Sequence, residues 1–479
     1  MESMEPVDFV ELFLDDYLMS EIVKQTNFYA AQKMAGMPEA ARKRAWTKDV
    51  DLKELKDFFG LVFLTGLIHK PELRDYWTTD EAMETPYFGK VMSRNRYQAI
   101  MRFLHFTDRL EDKEDRIFRI RPVMDYLVKK WQEMYTPLQN ISIDEGTLLF
   151  RGRLSFRVYN PTKPCRYGIK SFLLCCSQTA YCHNMRPYIG VYSSLLDTVT
   201  GLLGDLMGKG YVLFMDNFYN SVSLSYYLLD HNTHTCGTIR RTRGAPPEID
   251  QATLATLKAN DRIAMTTDKV MCVAWRDSKV VRMLSSYHQD TVVVTRKWQK
   301  GGIQYEYQKP QSAVDYNAYM NGVDKLDQHI TYYPFTRKST KWTTKFLMYL
   351  FEISLYNAFV LYRIENPQGR CKELKSFIHA VVKSWSSPRR ETQRAPYRNP
   401  RVRLSANIAP LPTVHVLAKL PPTEKKQNPQ KRCRMCSEHK RGQEGKRSET
   451  TFQCVVCHVP LHKGPCHIRY HTEQNLPYE

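Results

Sequence analysis

At 479 residues, with 42% apolar and 12% aromatic content, the chain is too long for one ordinary core and too apolar to be disordered. A net charge of +20 favours polyanionic partners, nucleic acid first and an anionic membrane surface second. Of the twelve cysteines five cluster after Lys431, which excludes a uniformly cysteine-dense secreted scaffold and points to a reducing compartment with the cluster kept for metal.

The chain opens on acids (Glu2, Glu5, Asp8, Glu11, Asp15, Asp16) with no basic start and apolar run of a secretion signal. Apolar residues at three- and four-residue spacing in "FVELFLDDYLMSEIVKQTNFYAAQK", "DLKELKDFFGLVFLTGLI" and "YQAIMRFLHF" predict helices from residue 7 to about 138. Short β-branched or aromatic runs follow: "ISIDEGTLLF", "YGIKSFLLCCS", "RPYIGVYS" and "YVLFMDNFY". A second strand-rich patch fills 241–312. Helix returns through "NGVDKLDQHI", "FLMYLFEISLYNAFVLYRI" and "LKSFIHAVVKSW". Residues 58–68 are too short to span a bilayer, and 346–362 are interrupted by Glu352 and Asn357, so both are expected to be buried helices of a soluble protein. From about 386 to 430 the chain reads as an extended basic linker rich in Pro, Arg and Asn. Between Arg370 and Thr450 stand 20 Lys/Arg against 6 Asp/Glu, so this stretch carries most of the excess charge.

Three places put acids where core packing would not. Asp144 ends the strand run of "NISIDEGTLLFRGR", Asp216 follows the apolar run of "YVLFMDNFYNS", and Asp324 and Asp327 share one face of "NGVDKLDQ" if that segment is helical. Carboxylates gathered from distant segments repel one another unless a cation lies between them, and hard oxygen ligands suit Mg²⁺ or Mn²⁺. Each acid taken singly also reads as a helix cap or turn former. Glu145, next to Asp144 in a strand, is expected to face away.

These blocks resemble the piggyBac transposases and their domesticated relatives. The likeness runs from "IVKQTNFYAAQK" through "SIDEGTLLFRGR", "NPTKPCRYGIK", "MDNFYNS", "NGVDKLDQ" and "RKSTKWTTKFLMYL" into the cysteine-rich tail. It implies an α/β multidomain protein with an RNase H-like catalytic core whose acid triad falls on Asp144, Asp216 and Asp324, with Asp327 supporting the metal. The implied layout is a helical dimerisation and DNA-binding domain (1–138), first core part (139–240), strand-rich insertion (241–312), second core part (313–335), the helical domain again running into basic linker (336–415), linker (416–430) and zinc-binding domain (431–479). The implied reaction is cut-and-paste transposition: metal-dependent nicking at the transposon end, a hairpin made by the freed 3′-hydroxyl, and joining to a TTAA target. Partners would be inverted-repeat DNA ends, the TTAA target and a second copy of the chain, in the nucleus and without a membrane. Family members often carry a long acidic region before the helical domain, whereas here that domain begins almost at Met1.

Beside the first acid, Arg151, Arg153, Lys163, Arg166 and Lys170 are candidate phosphate contacts or ordinary solvated residues. Arg337, Lys338 and Lys341 are further candidate DNA contacts, and Trp342 after them either stacks on a base or packs in a helix interface.

In the tail, Cys433 with Cys436 and Cys454 with Cys457 form two CxxC turns, a zinc signature that His462, Cys466 and His471 extend. The family's cross-brace arrangement implies one zinc on Cys433, Cys436, His462 and Cys466. A second would take Cys454, Cys457 and His471, with His467 or His439 as the eighth ligand. Ubiquitin-ligase and histone-reading modules share this architecture. The resemblance implies that the tail binds transposon-end DNA, a use that Lys440, Arg441, Lys446 and Arg447 fit. Two readings compete for the whole chain: an active Mg²⁺-dependent transposase, and a domesticated DNA or chromatin binder that no longer transposes.

Overall fold

The computed structural model describes residues 4–107, 114–161, 166–191, 193–249, 255–258, 260–298, 304–386, 417–422, 426–438, 449–454, 457–463 and 465–474. The chain forms two compact units, Met1–Leu404 and Ser405–Glu479.

The first unit begins with helices as the periodicity predicts, among them Asp16–Met34, Leu52–Leu67, Arg94–Phe103 and Arg121–Met134. Side-chain oxygens fix the starts of the first three. Asp15 accepts from the Leu18 N–H at 3.0 Å, Asp51 from Glu54 at 2.8 Å and Ser93 from Arg96 at 3.3 Å. The helix Leu52–Leu67 is buried almost all round because Leu374–Ser386 covers one side and Asp16–Met34 another.

Trp342–Glu365 is likewise a core helix, and its two polar interruptions each have partners. The Asn357 amide bridges Cys182, donating to its carbonyl at 2.8 Å and accepting from its N–H at 2.9 Å. Glu352 accepts from the Phe335 and Thr336 N–H groups, each at 3.0 Å. Among the described residues no helix is long and apolar enough to cross a membrane.

Burial pushes the Glu352 carboxyl up to about 7, against the pull of the Thr336 and Phe335 donors. A carboxyl raised on folding contributes stability that is full below its unfolded pKa and lost as pH rises through 7. Glu352→Gln keeps an acceptor for both N–H groups without the charge. It is expected to raise stability by about 1–3 kcal/mol at pH 8 and to leave it nearly unchanged at pH 5. Denaturation of both proteins at the two pH values checks this, and equal shifts at both would contradict it.

The strands are β1 (Asn140–Leu149), β2 (Val158–Tyr159), β3 (Tyr167–Cys176), β4 (Cys182–Pro187), β5 (Val212–Met215), β6 (His234–Thr238), β7 (Arg262–Thr266), β8 (Met271–Arg276), β9 (Val280–Ser285), β10 (Val292–Trp298) and β11 (Gln304–Pro310). The first nine make one sheet in the order β2-β3-β1-β5-β6-β9-β8-β7, with β4 also on β3. β1 runs parallel to β5, and β5 to β6, while β1 and β3 are antiparallel.

The strand-rich stretch 241–312 contributes three strands to the main sheet. Cys236 pairs with Ser285, so β9, β8 and β7 prolong the main sheet. The cause is a shared core. Met271, Val273, Trp275 and Met283 bury their side chains with Val212 and Phe214. β10 and β11 pair with each other as a separate two-stranded sheet.

In the second unit Lys431–Arg432 pairs with Glu449–Thr450, beside helices Arg434–Glu438 and Pro465–Glu473. Within 416–430, expected as linker, residues 417–419 are ordered. They form a strand paired with Phe452–Cys454, and Leu417 packs on the small core of Cys433, Met435, Cys454 and Leu461.

Candidate active site and zinc centres

β1 and β5 pair in register from Asn140↔Val212 to Ile143↔Met215. Asp144 and Asp216 are therefore the next residue on each of two adjacent parallel strands, whose axes lie about 4.8 Å apart. Gly237 on β6 lets this edge close up: a Cβ there would lie 2.0 Å from the Met215 carbonyl oxygen, the residue before Asp216. The helix Gly322–Tyr332 brings the third pair, packing on β1 and β3 through buried Val323 and Leu326. Its approach needs Gly322, whose Cβ would stand 2.4 Å from Ser142 Oγ. Asp324 in the first turn is exposed, and Asp327, one turn on, is half-buried.

The charges feel one another. Burial raises the Asp144 carboxyl to about 6, aided by Glu145, Asp216 and Asp324 and offset by the Glu145 N–H, which donates to Oδ1 at 2.7 Å. Burial and the Glu145 charge raise Asp216 as well, while Phe218 donates to its Oδ1 at 2.8 Å and Arg240 pulls it down. Asp327 acts on the buried Tyr349 hydroxyl and the Cys175 thiol. The carboxylates are gathered but not closed. Among the described residues, no three acidic side chains bring ligand atoms within 4.8 Å of one another. Mutually repelling, partly buried carboxylates of this kind suit a hard divalent cation.

Strand alternation predicts that Glu145 faces away from Asp144. Its charge nevertheless reaches both Asp144 and Asp216, and its Oε1 lies 2.8 Å from Lys170 Nζ. Lys170 is thus held by Glu145 and lies over the rings of Phe172 and Phe218. Sequence reasoning also passed over Arg240 and Arg243, which bond to Asn217 Oδ1 at 2.7 Å and to the Phe218 carbonyl at 3.3 Å, just after the second acid. The basic run "RRTR" was the available signal.

Arg151, Arg153 and Arg166 are exposed, as is Lys338. Arg337 is committed inward, donating to the Tyr76 hydroxyl at 2.9 Å and the Lys70 carbonyl at 3.2 Å. Lys341 donates to the Arg102 carbonyl. Trp342 is half-buried and edge-on to Phe156, with ring centroids 5.4 Å apart. Lys163, His439, Lys440 and Arg441 lie outside the described residues.

In the tail the ligand atoms do converge. Cys433, Cys436, His462 and Cys466 form one group within 4.8 Å, and Cys454, Cys457 and His471 another. Cys436 Sγ lies 3.5 Å from His462 Nδ1 and 3.6 Å from Cys466 Sγ, and Cys457 Sγ lies 3.7 Å from His471 Nε2. Tetrahedral zinc with Zn–S near 2.3 Å would space sulfurs by about 3.8 Å, so the donor set fits that ion. The other ring nitrogens meet carbonyls, His462 Nε2 that of Glu449 at 3.1 Å and His471 Nδ1 that of His467 at 2.7 Å. Such outer bonds orient metal-binding imidazoles. His467 itself is buried beside the second group, its ring 4.3 Å from that of His471.

Residues 5–359 match the family model described as "Transposase IS4". The chain belongs to this piggyBac-type transposase family. Human piggyBac transposable element-derived protein 3 is 27% identical over 98% of this chain and 76% of its own length. Human piggyBac transposable element-derived protein 2 is 27% identical over 76% of this chain and 62% of its own. The fold is similar to that of a piggyBac transposase, solved as a synaptic complex with hairpin DNA, with a TM-score of 0.70 and 23% identity over 100% of this chain and 97% of that one. The two Cys/His groups of the second unit are sulfur-rich donor sets of the kind that could bind zinc, whereas the acids of the first unit offer only oxygen donors.

Proposed function

We propose that this piggyBac-type chain cuts DNA at transposon ends and joins the freed ends to a TTAA target, with Asp144, Asp216 and Asp324 as the catalytic acids of an RNase H-like core. The observation that carries the reading is the register of β1 and β5, which sets Asp144 beside Asp216 while the charge of Asp324 reaches Asp144. These three would hold Mg²⁺ or Mn²⁺, with Asp327 in support. Such ions, when bound, supply charge stabilisation at a phosphoryl group and lower the pKa of water.

Water breaks the phosphodiester at the element end and leaves a 3′-hydroxyl. That hydroxyl attacks the opposite strand to form a hairpin; after hydrolytic opening, the 3′ ends attack the target. In these steps Asp144 and Asp216 fix the site on rigid strands, and Gly237 and Gly322 permit the close approach that holds them. Exposed Arg151, Arg153 and Arg166 contribute phosphate contacts that position DNA without reading it. The tail takes two zinc ions, the second completed by His467 or His439, and with Lys440 and Arg441 binds end DNA. The working form is a nuclear homodimer.

The rival is a domesticated binder, and the names of the human relatives, "transposable element-derived", favour it. A plasmid carrying matched ends separates the two. Wild type is expected to excise seamlessly and Asp216→Asn to fail. Equal excision by both removes Asp216 from the site, and no excision by either favours the domesticated form.

A further inference from the structure

Past the acids, the same face of β3 ends in an exposed aromatic pair. Tyr167 stands six residues from Leu173, the cross-strand neighbour of Asp144, so alternation puts Tyr167, Leu173 and Asp144 on one face. At about 3.4 Å per residue the separation along the strand is about 20 Å. Tyr159 on β2 lies directly opposite Tyr167, with ring centroids 4.6 Å apart and planes 33° from parallel. The two residues are 56% and 38% exposed.

A cross-strand aromatic pair contributes only about 0.2–1 kcal/mol to a sheet, a small return for leaving two large rings in water. What surrounds them is basic. The Arg157 guanidinium lies 5.2 Å from the Tyr167 ring centre and is anchored by Nη1 to the Arg151 carbonyl at 3.0 Å and to the Gly152 carbonyl at 3.0 Å. Arg151, Arg153, Arg157 and Arg166 are all exposed. An exposed aromatic pair with a guanidinium against one ring, on a segment whose other arginines are also exposed, matches a nucleic-acid strand, whose phosphates meet the cations while a base lies on a ring. An acidic peptide would satisfy the arginines and leave the rings unused.

We propose that Tyr159 and Tyr167 form a stacking platform for an unpaired base of the DNA strand that runs through the acid site. This rests on the DNA-cutting reading above and adds a contact of a different kind, to a base face rather than a phosphate. Stacking tolerates any base, so the platform adds affinity for single-stranded DNA without adding sequence preference.

The test uses full-length protein, its Tyr159→Ala/Tyr167→Ala and Tyr159→Phe/Tyr167→Phe variants, and two fluorescent probes. One probe is a short duplex ending in a single-stranded TTAA overhang, the other the same duplex with a blunt end. The alanine variant is expected to bind the overhang probe about ten-fold or more weakly than wild type. It should bind the blunt probe within about three-fold and with an unchanged salt slope, since phosphate contacts remain. The phenylalanine variant should match wild type on both. Near-normal blunt-duplex binding shows that the alanine variant is folded. The platform is refuted by undiminished overhang binding, by equal loss on both probes, or by a phenylalanine variant as weak as the alanine one. Wild type binding neither probe would instead overturn the DNA reading on which the platform rests.

Discussion

Asp144→Asn is expected to abolish excision while making the metal-free protein more stable. The two effects have one source. Asp144 is a partly buried carboxyl raised to about 6, first by burial and then by the charges of Glu145, Asp216 and Asp324. A carboxyl raised on folding supports stability below its unfolded pKa and loses that support as pH rises through 6, so at pH 8 the ionised group strains the fold. An amide removes the strain. The gain is about 1–2 kcal/mol once its partial exposure is discounted, and it should vanish below pH 4. Excision should fall by at least about 100-fold, because altering even groups that only orient metal ligands costs ~10–100-fold. Thermal melting at pH 4 and pH 8 without divalent cation, together with the plasmid assay, checks both halves. Loss of excision with loss of stability at pH 8 would mean that Asp144 merely holds the fold together.

Removing zinc is expected to unfold the second unit and spare the first. The tail's described core is Cys433, Met435, Cys454 and Leu461, far too little to stand without metal. Structural zinc contributes about 10–16 kcal/mol to modules of this kind. Burial and the neighbouring Cys454 push the Cys457 thiol up to about 12, and burial with Cys436 and Cys433 does the same for Cys466. Without a cation these thiols stay protonated and the clusters lose their reason to close. Chelation should release two zinc ions per chain. The ion held by three of the described residues, Cys454, Cys457 and His471, should leave before the one held by four. Protease should then cut within 417–474 while the helices and sheet of the first unit survive. Cys433→Ser should reproduce this with the metal present, and a tail that resists protease after chelation would contradict the assignment.

What could be read in the sequence was chemistry with a local signature. The CxxC spacing placed Cys433, Cys436, Cys454 and Cys457 in two groups, and the apolar runs before Asp144 and Asp216 marked two strands that deliver acids. Less legible was anything set by pairing between distant segments. That β1 lies beside β5, and that β9 lies beside β6, depends on burial shared across the whole sheet. Alternation along β1 sent Glu145 away from Asp144, but the neighbouring strand and the loop after β5 bring Lys170 and Asp216 within its electrostatic reach. That Arg337, a candidate DNA contact, is committed inward could not be read locally, because its partners, Tyr76 and Lys70, lie more than 250 residues earlier. The strand 417–419 was hidden by its basic, proline-rich surroundings, since three residues form a strand only where Phe452–Cys454 offers an edge.

The central claim is that strands β1 and β5 and the helix Gly322–Tyr332 carry acids that share divalent cation. Titration of full-length protein with Mn²⁺, followed by the loss of its free electron-paramagnetic signal, reads this without relying on excision. Wild type should take up Mn²⁺, and Asp144→Asn, Asp216→Asn and Asp324→Asn should each lose most of that binding while keeping their zinc. Undiminished Mn²⁺ uptake by all three variants would contradict it.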